Sequence, residues 1–167
     1  MPEEYEGGGG EGLELPPSFF PRERDDVEID DKALIRVGLE GIYKSESMGQ
    51  TQHFVRLEGG GRSLSIVVGG FEAQAILLPI QEVKSDRPMT HDLLFNLVER
   101  LGAEIEGVTV DDLWNDVYYA RVHLYRDGER FAIDARPSDA IALAVRAESP
   151  ISIAERVFDL ADRDAME

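Results

Sequence analysis

The sequence predicts an α+β domain: a mixed or antiparallel sheet with about four helices in a single compact unit. Three observations carry this. Alternating strand patterns cluster before and after a helical middle, glycine-bearing turns join neighbouring strand patterns, and the helical stretches have recognisable starts and stops.

The elements follow in order. Ala33, Ile35, Val37 and Leu39 alternate with Leu34, Arg36, Gly38 and Glu40, the period of a strand with one buried face. A second strand, Gln52 to Leu57, meets a third, Ser63 to Val68, across Gly59-Gly60-Gly61. Gly69-Gly70 breaks the pattern, and Phe71, Ala75, Ile76 and Leu78 then fall at helical spacing through about Gln81. Thr90 is the expected N-cap of a second helix whose apolar stripe is Leu93, Leu94, Leu97, Val98 and Leu101, stopped by Gly102. Strand patterns return at Ile105 to Leu113, Val117 to Tyr125 and Arg130 to Ala135, the last two joined through Asp127-Gly128, a strong hairpin pair. Pro137 opens a third helix through about Ala147, with Ile141 and Val145 on one face. A short strand at Ile151 to Ile153 and a helix to about Ala161 complete the domain.

Composition sets the surroundings. The 167 residues carry 34 acids, 17 Lys plus Arg and no Cys, a net charge of −17. That charge argues against a general nucleic-acid coat, whose phosphate affinity comes from Lys and Arg, but leaves room for a local phosphate site. Without Cys there is no disulfide, thiol nucleophile or thiolate metal site. No apolar run approaches a membrane span, and the N-terminus lacks a signal-peptide pattern, so a soluble cytoplasmic protein is expected. Residues 1–31 hold 11 acids and 2 bases with Gly7-Gly8-Gly9-Gly10 and Pro16-Pro17; they are expected to form a disordered acidic tail, leaving a folded domain over 32–167. The cations comprise 14 Arg and only 3 Lys. Abundant acid and scarce Lys suggest a cytosol salty enough to screen the self-repulsion; an acidic protein of an ordinary cytosol is the alternative.

Three polar clusters stand out. In Asp134-Ala135-Arg136-Pro137-Ser138-Asp139, the strand places Asp134 opposite the face of Phe131, Ile133 and Ala135, with Arg136 following on Asp134's side. Pro137 then opens the helix and leaves Ser138 and Asp139 beside the unpaired N–H groups of its first turn. An Asp, an Arg, a hydroxyl and a helix N-terminus together suit an anion or phosphate. Capping by Ser138 and pairing of Arg136 with Asp134 would account for the same residues structurally. In the second cluster, Arg87-Pro88-Met89-Thr90-His91-Asp92, a first-turn His91 held neutral suits a general base or metal ligand, or is simply a surface residue. The third candidate is Glu72, beside Gly69-Gly70-Phe71, where an acid at a helix start is also expected on dipole grounds. His53 and His123 sit in strand patterns, and HExxH, GxSxG, Walker A and GxGxxG patterns are absent.

Phe71-Glu72-Ala73-Gln74-Ala75-Ile76, Arg87-Pro88-Met89-Thr90-His91-Asp92-Leu93-Leu94, Tyr118-Tyr119-Ala120-Arg121, and above all Asp134-Ala135-Arg136-Pro137-Ser138-Asp139-Ala140-Ile141-Ala142-Leu143-Ala144 resemble the bifunctional nuclease (BFN) domain family, in order, from about Ile35 to Leu160. The resemblance implies a compact α+β domain and, from plant members, a nuclease acting on RNA and DNA. Its matching polar positions are Glu72, His91, Asp92, Asp134, Arg136, Ser138 and Asp139. The chain departs from it at Pro79, which interrupts an apolar helix, and in its acidic N-terminal segment.

The chemistry expected is phosphodiester hydrolysis of RNA, single-stranded DNA or both. His91 would serve as base or ligand, and Asp92, Asp134 and Asp139 would hold a divalent cation such as Mg²⁺ or Mn²⁺. Arg136 would stabilise phosphorane charge, Arg87 and Ser138 would contact substrate, and Glu72 would hold a neighbouring group in place. The alternative is a non-catalytic module that binds an anion or protein partner through the same cluster. A homodimer is a further expectation, from short edge strands and the Tyr119 and Tyr125 face.

Overall fold

A computed structural model describes residues 33–47 and 49–164; the acidic N-terminal segment lies outside them. The chain runs β1 (Leu34–Ser47), β2 (Gln50–Gly59), β3 (Arg62–Val68), α1 (Gly70–Ile80), α2 (Thr90–Arg100), β4 (Glu104–Trp114), β5 (Val117–Arg126), β6 (Glu129–Ala135), α3 (Pro137–Ala147), β7 (Ile151–Ala154) and α4 (Glu155–Asp164). The four helices pack on one seven-stranded mixed sheet of order β3-β2-β1-β7-β4-β5-β6. All neighbouring strands are antiparallel except β4 and β7.

β1 joins the two halves of the sheet. Its first residues, Leu34 to Val37, pair with β7, and Gly38 to Ser47 pair with β2. The strand is therefore longer than its alternating apolar stretch predicts, because its polar end, Lys44 to Ser47, is held by backbone pairing to β2 rather than by burial. At the corner, Gly59 lies so close to β1 that a Cβ would collide with the Arg36 carbonyl, so only glycine fits. The hairpin turns have the left-handed residues that tight two-residue turns need: Gly60-Gly61, Asn115-Asp116 and Asp127-Gly128.

The core unites Val55, Leu57, Leu64 and Ile66 of the β2–β3 hairpin with Val108, Val110 and Val122 of the other half. α3 runs through it with Ala140 to Ala144 all buried, and its alanines let α1 and α2 approach closely. β6 is an edge strand: Phe131 and Ile133 share a face, as the alternation predicts, yet both remain exposed because no helix packs closely over this strand.

Two helix ends depart from expectation. The N-cap of α2 is Met89, not Thr90; Asp92 reaches back three residues and its Oδ2 accepts the Met89 N–H at 2.8 Å, so the carboxylate, not the Thr hydroxyl, satisfies this end. In α1, Pro79 sits inside the helix without ending it. Pro79 has no N–H to give the Ala75 carbonyl, and Arg146 Nη1 supplies the missing donor at 2.8 Å.

Candidate functional site

Three helix N-termini and one arginine from α3's last turn build the site. A chain that places Pro137 at the first turn of α3 forces Arg136 to be extended, with φ −68° and ψ 146°. Arg136 therefore leaves the end of β6 pointing across the start of α3. Its Nε and Nη2 donate to the two oxygens of Asp139 at 2.7 and 3.2 Å, and its Nη1 donates to Glu72 Oε1 at 3.2 Å. Glu72 comes from the first turn of α1, folded back so closely over Gly69 that a Cβ there would strike its carboxylate. His91, from the first turn of α2, closes the ring: its Nε2 lies 2.8 Å from Asp139 Oδ1.

Charge settles the proton on His91. Burial pushes the Asp139 carboxyl up, but hydrogen bonds from Arg136 and His91 outweigh it and hold it below the ordinary carboxylate range. An ionised Asp139 can only accept, so the His91 proton on this side is on Nε2, and in the neutral ring Nδ1 is the basic nitrogen. Asp139 thus orients His91 and Arg136 at once. The His91 side chain is only 13% exposed, whereas that of Arg136 is 65% exposed.

Asp92 has a different duty. Its Oδ1 accepts from Arg146 Nε at 2.7 Å while Oδ2 holds the Met89 N–H. Burial raises its carboxyl, and the Met89 and Arg146 bonds more than reverse this. Arg146 is the residue sequence reasoning missed. Its buried guanidinium also donates to the carbonyls of Ala75 and Ala142, tying α1, α2 and α3 together beneath the cluster.

These groups line one cleft of about 550 Å³ between the three helices, where His91, Asp139, Arg136 and Glu72 meet the apolar side chains of Leu78, Val83, Met89 and Leu94. Phe71 stands at its edge with 86% of its surface exposed. Ser138 does not cap α3; it is buried in the first turn and lines a second cleft behind Arg136, with Gly69 and Glu72. Arg87 is exposed in the loop before α2 and does not line the main cleft. Asp134 lies apart: its cross-strand neighbour is Arg121 of β5, not Arg136.

The carboxylates expected to hold a cation are therefore dispersed. Asp92 is taken up by Arg146 and the Met89 N–H, Asp139 by Arg136 and His91, and Asp134 is on the sheet. Among the described residues no three His, Asp or Glu side chains are arranged to hold a metal ion. The donor set does not fit a preformed Mg²⁺ or Mn²⁺ site, whose hard cation needs several converging oxygens.

A second polar cluster occupies the sheet away from the cleft. Arg121 Nε lies 2.8 Å from buried Asp111, and Thr109 Oγ1 lies 2.8 Å from His123 Nε2. The signal for it was an Asp inside the apolar run Ile105 to Leu113.

Acid should weaken the cluster in a defined direction. Asp92 and Asp139 both titrate lower in the folded chain than the ~3.9 of an unfolded Asp. The folded state binds fewer protons, so this stabilisation is complete above about pH 5 and is lost as pH falls through the lowered values. Urea midpoints followed from pH 7 to pH 3 should fall at the acid end, and Asp139→Asn should flatten the fall.

Comparison with known proteins gives consistent relatives. The family described as bifunctional nuclease domain matches residues 54–165. An uncharacterized protein of Mycobacterium tuberculosis is 36% identical over 118 residues, 71% of this chain and 70% of that protein. Bifunctional nuclease 1 of Oryza sativa subsp. indica is 28% identical over 103 residues, 60% of this chain and 31% of its own length. Bifunctional nuclease 2 of Arabidopsis thaliana is 29% identical over 99 residues, 58% of this chain and 30% of its own. The match thus spans about a third of each plant protein. Among the described residues no helix is long and apolar enough to cross a membrane.

Proposed function

The chain belongs to the bifunctional nuclease domain family, and from that premise we propose that it hydrolyses phosphodiester bonds of RNA, single-stranded DNA or both in the cleft between α1, α2 and α3. The observation that carries this is the convergence of His91 and Arg136 on one ionised Asp139 at the cleft wall.

In this reading His91 Nδ1 takes the proton of an attacking water as its oxygen bonds to phosphorus. The P–O bond opposite breaks, and the departing oxygen takes a proton from solvent. Asp139 stabilises the imidazolium that forms, as the buried Asp of a catalytic triad does. Three of Arg136's five N–H donors serve Asp139 and Glu72, which leaves two for phosphate oxygens on a side chain open to solvent. Among the described residues the carboxylates do not converge to hold a divalent cation.

Recognition would rest on contact rather than long-range attraction. Three carboxylates, Glu72, Asp92 and Asp139, outnumber Arg136 and Arg146 in the cluster. Phe71 offers an exposed ring for a base to stack on, worth ~1–3 kcal/mol per base, and a base free to stack is one from a single strand. Both contacts survive the salty cytoplasm that the acidic composition suits.

One observation favours a second reading: every guanidinium in the cluster already has carboxylate partners inside it. A non-catalytic module, whose cluster is a structural network that binds an anion or protein partner at its edge, needs no guanidinium free for a reacting phosphate. Labelled RNA and single-stranded DNA incubated with the protein in concentrated KCl, with and without EDTA, separate the two. Cleavage is expected from the unaltered protein and from Asp134→Ala, whose side chain lies outside the cleft, and is expected to fall at least ~100-fold in Arg136→Ala. Absence of cleavage with retained oligonucleotide binding would establish the second reading instead.

A further inference from the structure

α2 has two apolar faces and the domain covers only one. Phe95 and Val98 pack inward against the core, yet no residue of this helix is fully buried. At 3.6 residues per turn, Leu93, Leu97 and Leu101 form an i, i+4, i+8 ridge on another side, with Leu94 beside it. All four are exposed, Leu97 by 48% and Leu101 by 63%. Val83 and Met89 are exposed as well and line the cleft together with Leu94.

We propose that this surface pairs with a second copy of the chain, α2 against α2 about a two-fold axis through Leu97. The ridge is its own complement under that symmetry: Leu97 meets Leu97, and Leu93 meets Leu101 in both directions, as an isologous interface requires. Rows of residues four apart interdigitate at a crossing near −50°, the commonest helix-packing class. The area agrees as well. Taking roughly 150 Å², the low end of the aromatic range, for a fully exposed aliphatic side chain, the six residues present about 450 Å². That approaches the roughly 65% apolar share of the ~800 Å² each partner buries in a standard interface. None of the six carries charge, so the patch itself sets no carboxylate against its symmetry mate although the chain carries a net charge of −17. This interface replaces the tyrosine face and short edge strands as the contact surface, and it stands whether or not the cleft cleaves phosphodiesters.

The second copy would also wall the apolar side of the cleft, since Leu94 belongs to both. Sedimentation velocity of the full chain in concentrated KCl should give a dimer at micromolar concentration and a monomer for Leu97→Glu, with circular dichroism unchanged because Leu97 is half exposed. The chain has no Cys, so Leu97→Cys supplies a second readout: mild oxidation should yield a covalent dimer, whereas Val67→Cys, at an exposed position of β3, should not. A monomeric unaltered chain, a Leu97→Glu variant that still dimerises, or equal cross-linking at both positions would overturn the proposal.

Discussion

Arg146→Ala should lower the stability of the folded chain by about 2–4 kcal/mol, chiefly because two carbonyls lose their donor, while the Asp92 carboxylate, 37% exposed, is partly rehydrated. The side chain is only 7% exposed and three things fail together when it goes. Asp92 keeps a partly buried charge without its guanidinium, the Ala75 carbonyl loses the donor that stands in for the missing N–H of Pro79, and the Ala142 carbonyl loses a partner. For a chain of this size the thermal midpoint should drop by roughly 10 °C. Arg146→Lys should recover only part, because a point ammonium cannot serve three acceptors in fixed fork geometry. Melts by circular dichroism at constant KCl measure both.

The second large effect is on chemistry. Asp139→Asn keeps the shape of the side chain but removes the charge that fixes His91 and Arg136. The new amide can donate to His91 Nε2, which would move the ring proton to Nδ1, the nitrogen that must be vacant to act as base. Arg136 also loses its principal anchor. A fall of about 10³-fold in single-turnover cleavage is expected, by the logic of a triad carboxylate turned to amide. The thermal midpoint should move far less than for Arg146→Ala, because the amide still fills the space and accepts one bond.

Local patterns made most of the fold legible. Asp127-Gly128 and Gly60-Gly61 need their left-handed backbone, Pro137 can start a helix but not continue one, and the leucines of α2 keep helical time. What local pattern cannot carry is long-range pairing. The outer half of β1 is polar and is a strand only because β2 lies beside it. Arg146 escaped notice because its partners are 54 and 71 residues away on two other helices, although Pro79 already implied a carbonyl in need of a donor.

The candidate site was legible in part for the same reason. Glu72, His91, Arg136 and Asp139 each stand out at a helix start, and the fold brings those starts together. Asp92 stands out equally and serves its own helix end and Arg146. Asp134 is next to Arg136 in sequence, but the turn into α3 carries Arg136 away from it and leaves Asp134 across from Arg121. Adjacency in sequence predicted a pair that the change from strand to helix dissolves.

The most direct test of the account is the cleavage of a 5′-labelled single-stranded oligonucleotide by the unaltered protein and by His91→Gln, purified identically and assayed side by side in concentrated KCl. A positioned general base is worth about 10²–10⁴-fold. Loss of rate on that scale, with oligonucleotide binding preserved, is the predicted result; equal cleavage by both proteins would contradict the assignment of His91 and with it the site.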